Sequence, residues 1–132
     1  MSARLPGLVE PATTTLLTQE CQRGVIGAES VLPELAVAAR ESGMVANVAR
    51  LVEAARDAGV PVVHAIAQRR ADGRGSNTNA RLFRATERNP EHLTVGSPLV
   101  ELVDDIPPDD SDIVSTRLHG LSPIAGTDVG AM

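Results

Sequence analysis

A carboxylate and a thiol stand side by side at the end of an apolar stretch near the start of the chain. Glu20 and Cys21 follow the β-branched and aliphatic residues 13–17, a composition that predicts a buried strand over Thr13–Gln19. In open parallel α/β sheets, ligands bind at the carboxyl ends of the strands. We therefore expect Glu20 to face a cleft, with a solvated or salt-bridged carboxylate as the alternative.

Cys21 is the only thiol in the chain, and a thiolate is a natural nucleophile for acyl transfer. Two features argue against that role. The carboxylate of Glu20 next to it raises a thiol pKa, whereas activation requires a basic neighbour. Adjacent residues on a strand also point to opposite faces, so Cys21 turns away from the side that Glu20 faces. We interpret Cys21 as a buried structural thiol and keep a catalytic nucleophile as the alternative.

A helix and a second strand come next. Apolar residues at i, i+3, i+4 and i+7 predict a helix over Met44–Ala58. Ser42 is expected to cap its start, and Gly59 with Pro61 to mark its end. The apolar run Val60–Ala67 predicts a strand that is buried on both faces. Together these elements indicate a βαβ unit and a parallel sheet.

The rest of the chain supplies shorter elements. Asp112–Thr116 predicts a third strand, and in the doubly wound order the three strands pair as 3-2-1. The remaining predictions are an N-terminal arm over Met1–Pro11, loops over Gly24–Pro33 and Gln68–Asn79, helical turns over Leu35–Arg40, Ala80–Thr86 and Leu99–Val103 (the last capped by Ser97), and a helix start at Thr127.

Further polar side chains lie near the predicted strand ends. Arg117 follows the third strand at the sheet edge that holds Glu20, and we expect the two to pair there. His119 is a candidate for ligand contact, because loops at strand ends carry function. His64, inside the second strand, predicts a hydrogen-bonded core histidine. The other charges predict solvated loops: the arginines at 69, 70 and 74, with anion or subunit contact as the alternative, and the aspartates at 104, 105, 109, 110 and 112, which imply no metal geometry.

The composition sets the class of the protein. Its 132 residues suffice for one domain, and a single Phe with no Trp or Tyr leaves the core to aliphatic side chains. A net charge of -5 argues against a nucleic-acid partner, and one cysteine fits a reducing cytosol. No apolar run approaches the roughly 18 residues of a transmembrane helix, and no signal peptide is apparent. We expect a cytoplasmic protein without a membrane partner.

Three segments resemble the isochorismatase-like hydrolases, the superfamily that also contains the nicotinamidases. LLTQECQRG resembles the opening strand of that family, VPVVHAIAQRR its second strand and loop, and TRLHGLSPIAGTDVGAM its lysine segment and Gly-Thr-Asp turn. The variants in these segments look like an actinobacterial-type branch. The resemblance spans nearly the whole chain and implies an α/β fold in three layers, with a parallel sheet between helices.

The resemblance also implies an Asp, Lys and Cys triad that cleaves amide or vinyl-ether bonds. The Asp position is Glu20 here and the Lys position is Arg117, which stays charged and donates protons poorly. The family's Cys follows a fourth strand beyond the Gly-Thr-Asp turn, so we expect residues 1–132 to be one domain that is C-terminally incomplete. The family's metal-binding Asp-x-His pattern is absent, so no metal or other cofactor is expected. His119 and Gln22 are the candidate substrate contacts.

Three functional interpretations stay open. The chain is a hydrolase-like protein that is catalytically impaired, a non-catalytic small-molecule-binding or assembly subunit, or a fragment that a partner segment completes. A small-molecule ligand is expected in the first two. Because the predicted order leaves Thr13–Gln19 with one side unpaired, and an unpaired apolar edge promotes association, we also expect a homo-oligomer.

Overall fold

Three parallel strands form the centre of the molecule. The computed structural model describes residues 5–89 and 92–132. The strands are β1 (Leu16–Gln19), β2 (Val62–Ala67) and β3 (Ile113–Arg117), and they pair in the order β1-β2-β3. Both pairings are parallel, so all three carboxyl ends lie at one edge of the sheet. The predicted strand order and direction are confirmed.

The first two strands begin later than the sequence predicted. Leu16 is opposite Val62 in the ladder, and its N–H donates to the carbonyl of Pro61 at 2.9 Å. The N–H of Val60 is used elsewhere, donating to the carbonyl of Ala55 to close the preceding helix. The second strand therefore starts only at Val62, and residues 13–15 have no strand beside them. A 3₁₀ turn, Pro11–Thr13, occupies part of the predicted strand.

The described residues form five α-helices. The predicted helix starting at Met44 and the helical turns near residues 35 and 80 are confirmed, with small shifts at their ends. Of the N-terminal arm predicted over 1–11, residues 1–4 lie outside the described part, and a helical turn forms from Leu5. The helices are α1 (Leu5–Leu8), α2 (Arg23–Ile26), α3 (Pro33–Glu41), α4 (Met44–Asp57) and α5 (Arg81–Glu87).

The junction of α3 and α4 differs from the prediction. Ser42 was expected to cap the start of α4, but it ends α3 instead, with its hydroxyl donating to the carbonyl of Ala39 at 3.2 Å. Gly43 stands at the start of α4 with φ of 73°, a left-handed conformation that glycine adopts without steric cost. The helix α3 is longer than expected, so Ser42 serves its last carbonyls.

The segment after β1 was predicted as a loop and is instead ordered by cross-chain hydrogen bonds. The N–H of Arg23 donates to Glu101 O at 2.8 Å, and the N–H of Val103 donates to Cys21 O at 2.9 Å. This pairing holds α2 against the 3₁₀ turn Pro98–Val100. Ser97 caps that turn as predicted, because its hydroxyl oxygen accepts from the N–H of Leu99. It also stops that turn short of the helix predicted over Leu99–Val103, because these residues pair with the chain after β1.

The main core lies between α4 and one face of the sheet, and it continues into the 102–106 segment. Fully buried Val, Ile and Leu side chains each stabilise the fold by roughly 1.5–3 kcal/mol, which compensates for the scarcity of aromatic area. The last described turn, Asp128–Ala131, begins at Thr127 as predicted. Central members of the core are Ile26, Val52, Val62, Ile66, Val103 and Ile106.

A polar network is buried in this core. His64 on β2 is fully buried, and its Nε2 lies 3.1 Å from a carboxylate oxygen of Asp112. A carboxylate only accepts, so Nε2 carries the proton and Nδ1 accepts from the hydroxyl of Thr18 at 2.7 Å. Arg56 on α4 closes the network by donating to both oxygens of Asp112. The core histidine is confirmed, whereas Asp112 is not the solvated loop residue that the sequence predicted.

Burial and hydrogen bonding shift the pKa values of this network. Burial lowers the pKa of His64, although the carboxylate of Asp112 acts in the opposite direction. Burial alone would raise the pKa of Asp112, but hydrogen bonds from Arg56, the Asp109 N–H and His64 outweigh it and lower that pKa to about 2. At neutral pH the network therefore contains a neutral imidazole and an ionised carboxylate.

Candidate functional site

An ion pair closes the carboxyl end of the sheet. Glu20 follows β1 directly and Arg117 ends β3, so β2 lies between their strands. The two side chains meet across the end of β2, where Nη2 of Arg117 donates to Oε1 of Glu20. The predicted contact between them is confirmed, although their strands are not adjacent. Whether the pair has a catalytic role is a separate matter and stays a prediction.

The fold holds two of the three guanidinium nitrogens of Arg117, and the third has no hydrogen-bond partner among the described residues. Its Nε donates to the carbonyl of Gly120 at 3.2 Å, and its Nη2 is taken by Glu20. The residue is only 6% exposed, and its buried Nη1 has no hydrogen-bond partner among the described residues. Burial lowers the pKa of the Arg117 guanidinium below its ordinary value. A buried cation with a spare donor is a suitable place for an acceptor oxygen.

The pair lies in the wall of a cavity of about 340 Å³. This volume is in the range of sites for small molecules. The polar part of the wall comes from the strand ends and the loop after β2, and includes Glu20, Arg69, Arg117 and His119. The apolar part comes from the segment around α3, from α5 and from the residues after β3. Its larger side chains are Leu32, Leu35, Leu82, Phe83, Leu118 and Leu121.

Two residues of this wall have unusual backbone conformations. Glu20 has φ of 52° and Leu93 has φ of 53°, and they are the two non-glycine residues with positive φ in the described ranges. A side chain in this region costs of order 1–3 kcal/mol and persists only where the surroundings hold it. The N–H of Glu20 donates to Ala65 O at 2.8 Å, and the Leu93 carbonyl accepts from the N–H of Arg69 at 2.8 Å. Strained backbone concentrates at ligand sites.

His92 is a member of this site that the sequence analysis missed. It lines the cavity and is 4% exposed. Its ring Nε2 lies 2.9 Å from the carbonyl of Gly24, which can only accept, so Nε2 carries the proton. In the neutral ring Nδ1 is then an acceptor, and it has no partner in the part of the chain that the structure describes. His92 stands in a segment without periodicity, so no sequence signal marked it.

Gln22 was a predicted substrate contact, and the structure places it elsewhere. Its side chain is fully buried, and its amide group bridges two segments of backbone. Nε2 donates to Ala67 O at 2.8 Å and to Val100 O at 2.9 Å, while Oε1 accepts from the Ala67 N–H at 2.8 Å. Gln22 is not among the residues that line the cavity. Its amide fixes the end of β2, so its position gives the predicted contact no support.

His119 and the arginines of the polar loop lie at different depths. His119 is exposed and lines the cavity at its rim, where a ligand contact is sterically possible. Arg70 and Arg74 are exposed as predicted, and Arg70 pairs with Asp72, with 2.7 Å between Nη2 and Oδ2. Arg69 was grouped with them but is half-buried in the cavity wall. It is a second arginine among the residues that line the cavity.

Cys21 is buried and does not line the cavity. Burial raises the pKa of its thiol, which lies 3.8 Å from the carbonyl oxygen of Gln19. The thiol lines a separate, smaller groove along the outer edge of β1, which it shares with Leu16, Met44 and Val48. Glu20 and Cys21 therefore line different depressions, as predicted. The alternation along a strand does not explain this, because both residues lie beyond the end of β1 and Glu20 has a left-handed backbone conformation.

The described residues contain no cluster of three or more His, Cys, Asp or Glu placed to hold a metal ion. Within the same ranges, no helix combines the length and apolar character needed to cross a membrane. The chemistry that the geometry does offer is hydrogen bonding and charge pairing at the end of the sheet.

Comparison with solved structures shows the same fold. A cysteine hydrolase from Pseudomonas syringae pv. phaseolicola 1448A matches with a TM-score of 0.70 and 22% identity, over 92% of this chain and 53% of that one. An N-carbamoylsarcosine amidase from Thermoplasma acidophilum matches with a TM-score of 0.63 and 21% identity, over 89% of this chain and 58% of that one. An isochorismatase from Pseudomonas putida KT2440 matches with a TM-score of 0.58 and 20% identity, over 89% of this chain and 47% of that one.

The chain thus spans about half the length of the solved structures it matches. No protein of curated function matches it. The isochorismatase domain matches residues 14–132, which include all three strands and the whole wall of the cavity. The chain belongs to the isochorismatase family.

Proposed function

We propose that this chain is a hydrolase-like protein of the isochorismatase family that binds a small molecule in the cavity beside Glu20 and Arg117, and that its 132 residues alone do not hydrolyse that molecule. The observation that carries the proposal is the separation of the two groups needed for such chemistry. The Glu20–Arg117 pair lines the cavity, and the single thiol does not.

The nature of the basic residue supports impaired catalysis. Arg117 occupies the position where the family resemblance places a lysine. A guanidinium keeps its proton at any ordinary pH, so Arg117 can stabilise an anion but cannot shuttle protons as an amine can. The side chain is also fixed by Glu20 and the Gly120 carbonyl, which suits a positioning role.

The state of the thiol supports the same conclusion. A nucleophilic cysteine requires a lowered pKa and access to the substrate. Burial raises the pKa of Cys21, and its side chain lines the groove beside β1 and not the cavity. Cys21 therefore meets neither condition. As a free, buried thiol it suits a reducing compartment, and we propose the cytosol as the location.

The test is hydrolysis by the purified chain. Nicotinamide and N-carbamoylsarcosine serve as amide substrates and an isochorismate-like vinyl ether as the third, with ammonia or pyruvate release as the readout. We expect no turnover above that of the denatured chain. Turnover that disappears in Cys21→Ser would contradict the proposal and make Cys21 the nucleophile. Turnover that survives Cys21→Ser but disappears in Glu20→Gln would also contradict it, through a mechanism without a thiol.

We propose as a second function that the outer edge of β1 is an assembly surface between copies of this chain. In the described ranges β1 pairs only with β2, which leaves its other side open. The groove along that side has apolar walls formed by Leu16, Met44, Val48 and Leu51, and Leu51 is 57% exposed. An open, apolar strand edge favours pairing with another chain, and a second copy offers the same edge.

A further inference from the structure

Five leucine side chains border the cavity and remain in contact with solvent. They are 37–57% exposed, and most of the accessible surface of the cavity wall is apolar. Exposed leucines that stand singly are ordinary on a protein surface, whereas several that meet around one cavity indicate a ligand site. The five are Leu32, Leu35, Leu82, Leu118 and Leu121.

These leucines come from three separate parts of the chain. Leu35 lies on α3 and Leu82 on α5, while Leu118 and Leu121 follow β3. A ligand that fills the cavity removes apolar surface of all three parts from water, and this burial is favourable in proportion to its area. The wall contains one aromatic side chain, Phe83, so a ligand meets mainly branched aliphatic groups. It therefore suits an aliphatic ligand body.

Glu20 gives the cavity a polar end. It lines the cavity, and its side chain is 22% exposed, so solvent reaches this residue. Nη2 of Arg117 donates to Oε1, and a carboxylate can accept further hydrogen bonds. The ligand group beside Glu20 is therefore a donor. A carboxylate placed there would repel Glu20 and an ammonium would repel Arg117, so an uncharged N–H group suits this end.

We propose that the cavity selects an aliphatic primary amide, which donates an N–H to Glu20 and lays its alkyl chain against the five leucines. The inference rests on the proposed function, since it requires the cavity to be the ligand site, and it names the class of ligand. The volume of about 340 Å³ limits that ligand to a small molecule.

A series of amides of increasing length tests the alkyl chain. Propanamide, butanamide, pentanamide and hexanamide are titrated into chain with ¹³C-labelled leucine methyl groups and followed by NMR. We expect the dissociation constant to fall about fourfold with each added methylene group. The shifted methyl signals should be those of the five leucines in the cavity wall. A dissociation constant that stays the same along the series would overturn the proposal.

An isosteric probe tests the hydrogen bond to Glu20. In 2-heptanone a methyl group replaces the NH₂ group of hexanamide, so the alkyl chain and the carbonyl are kept and the donor is lost. We expect 2-heptanone to bind about tenfold more weakly, because a hydrogen bond to a charged acceptor is lost. Equal affinities would overturn the contact with Glu20 and the assignment of an amide.

A matched pair of variants on one helix tests the leucine wall. Leu35 and Val37 are both exposed on α3, and only Leu35 lines the cavity. Leu35→Asn should weaken hexanamide binding about fivefold, because the alkyl chain loses an apolar contact. Val37→Asn should leave the affinity unchanged. Equal affinities of the two variants would contradict the placement of the alkyl chain.

Nicotinamide separates this inference from the proposed function. It carries the same amide group on an aromatic ring, and we expect it to bind more weakly than hexanamide. Nicotinamide that binds as tightly as hexanamide and shifts the cavity leucines would overturn the aliphatic selectivity and leave the proposed ligand site standing. Absence of any shift in the cavity leucines with every probe would overturn both.

Discussion

Glu20 and Arg117 are 97 residues apart in the chain and form an ion pair across the end of the strand that separates their own strands. The pair is possible because all three strands are parallel and end at the same edge. It is unequal in burial, with the side chain of Arg117 5% exposed and that of Glu20 22% exposed. Removing the carboxylate therefore leaves a buried cation without a counter-ion, whereas removing the cation leaves a carboxylate that water can reach.

A double-mutant cycle should detect this pair. We expect Glu20→Gln to destabilise the fold by about 2–4 kcal/mol, because a buried charge without its partner is costly. Combined with Arg117→Met, the loss should be smaller than the sum of the single losses by roughly 1–3 kcal/mol. Urea denaturation measures each value. The exposed pair of Arg70 and Asp72 is the control, for which a coupling of about 0.5 kcal/mol is expected. Equal coupling in both pairs would refute the role assigned to burial.

Thr18 should be important for stability through a single hydrogen bond. Its hydroxyl is the only described donor to Nδ1 of His64, which is fully buried. Thr18→Val keeps the shape and leaves that nitrogen unsatisfied, so we expect a loss of about 1–3 kcal/mol. Thr116→Val, at an exposed position of β3, should change stability by less than about 0.5 kcal/mol. Similar thermal unfolding of the two variants would contradict the stabilising role given to this hydrogen bond.

Stability should fall in two steps as the pH is lowered. The pKa of His64 in the folded chain lies below its ordinary value of 6.5. Below pH 6.5 the unfolded chain therefore binds a proton at His64 more readily than the folded chain does. Stability is therefore present above pH 6.5 and declines beneath it. The pKa of folded Asp112 is about 2 against an ordinary 3.8, so its contribution is present above about pH 4 and is lost towards pH 2. That second step amounts to about 2 kcal/mol.

Urea denaturation at a series of pH values measures both steps. Asp112→Asn should lower the stability at neutral pH, because Arg56 loses an ionised partner, and should flatten the profile between pH 4 and 2. A profile of Asp112→Asn that stays as steep as that of the parent chain would assign the acid step to other carboxylates.

Self-association should depend on the groove beside β1. We expect sedimentation velocity at low micromolar concentration to show a dimer or larger species. Leu51→Lys places a charge on the apolar groove and should shift the distribution towards monomer. Val95→Lys, at a similarly exposed residue outside the groove, should not. A monodisperse monomer with cooperative unfolding would rule out the assembly surface.

The parts of this structure that follow from local pattern were predictable from the sequence. Strands that are apolar on both faces, with a helix between them, predicted the parallel sheet, and the common edge of parallel strands predicted the contact of Glu20 with Arg117. The errors arose where distant segments decide the outcome. The 13–15 stretch has strand-forming residues but no neighbouring strand. The amide of Gln22 forms hydrogen bonds with the backbone of Ala67 and Val100, so the substrate contact predicted for it stays a prediction that its position does not support.

The sequence predicted only the part of the site that lies at the strand ends. Glu20 and Arg117 stand at strand ends, where position carries information about function. His92 lies in an irregular segment, and its role depends on the Gly24 carbonyl, 68 residues away, which fixes its tautomer. No local pattern encodes that contact. The actinobacterial-type branch within the family stays a prediction.

The most direct test of the central claim is the reactivity of Cys21. If the cavity is a binding site and the thiol a structural group, iodoacetamide should alkylate Cys21 at neutral pH at least about a hundredfold more slowly in the native chain than in urea, because a buried thiol with a raised pKa yields little accessible thiolate. The rate should not change when a cavity ligand is added. Rapid alkylation of the native chain at pH 7, slowed by a cavity ligand, would contradict the account and place the thiol in the active site.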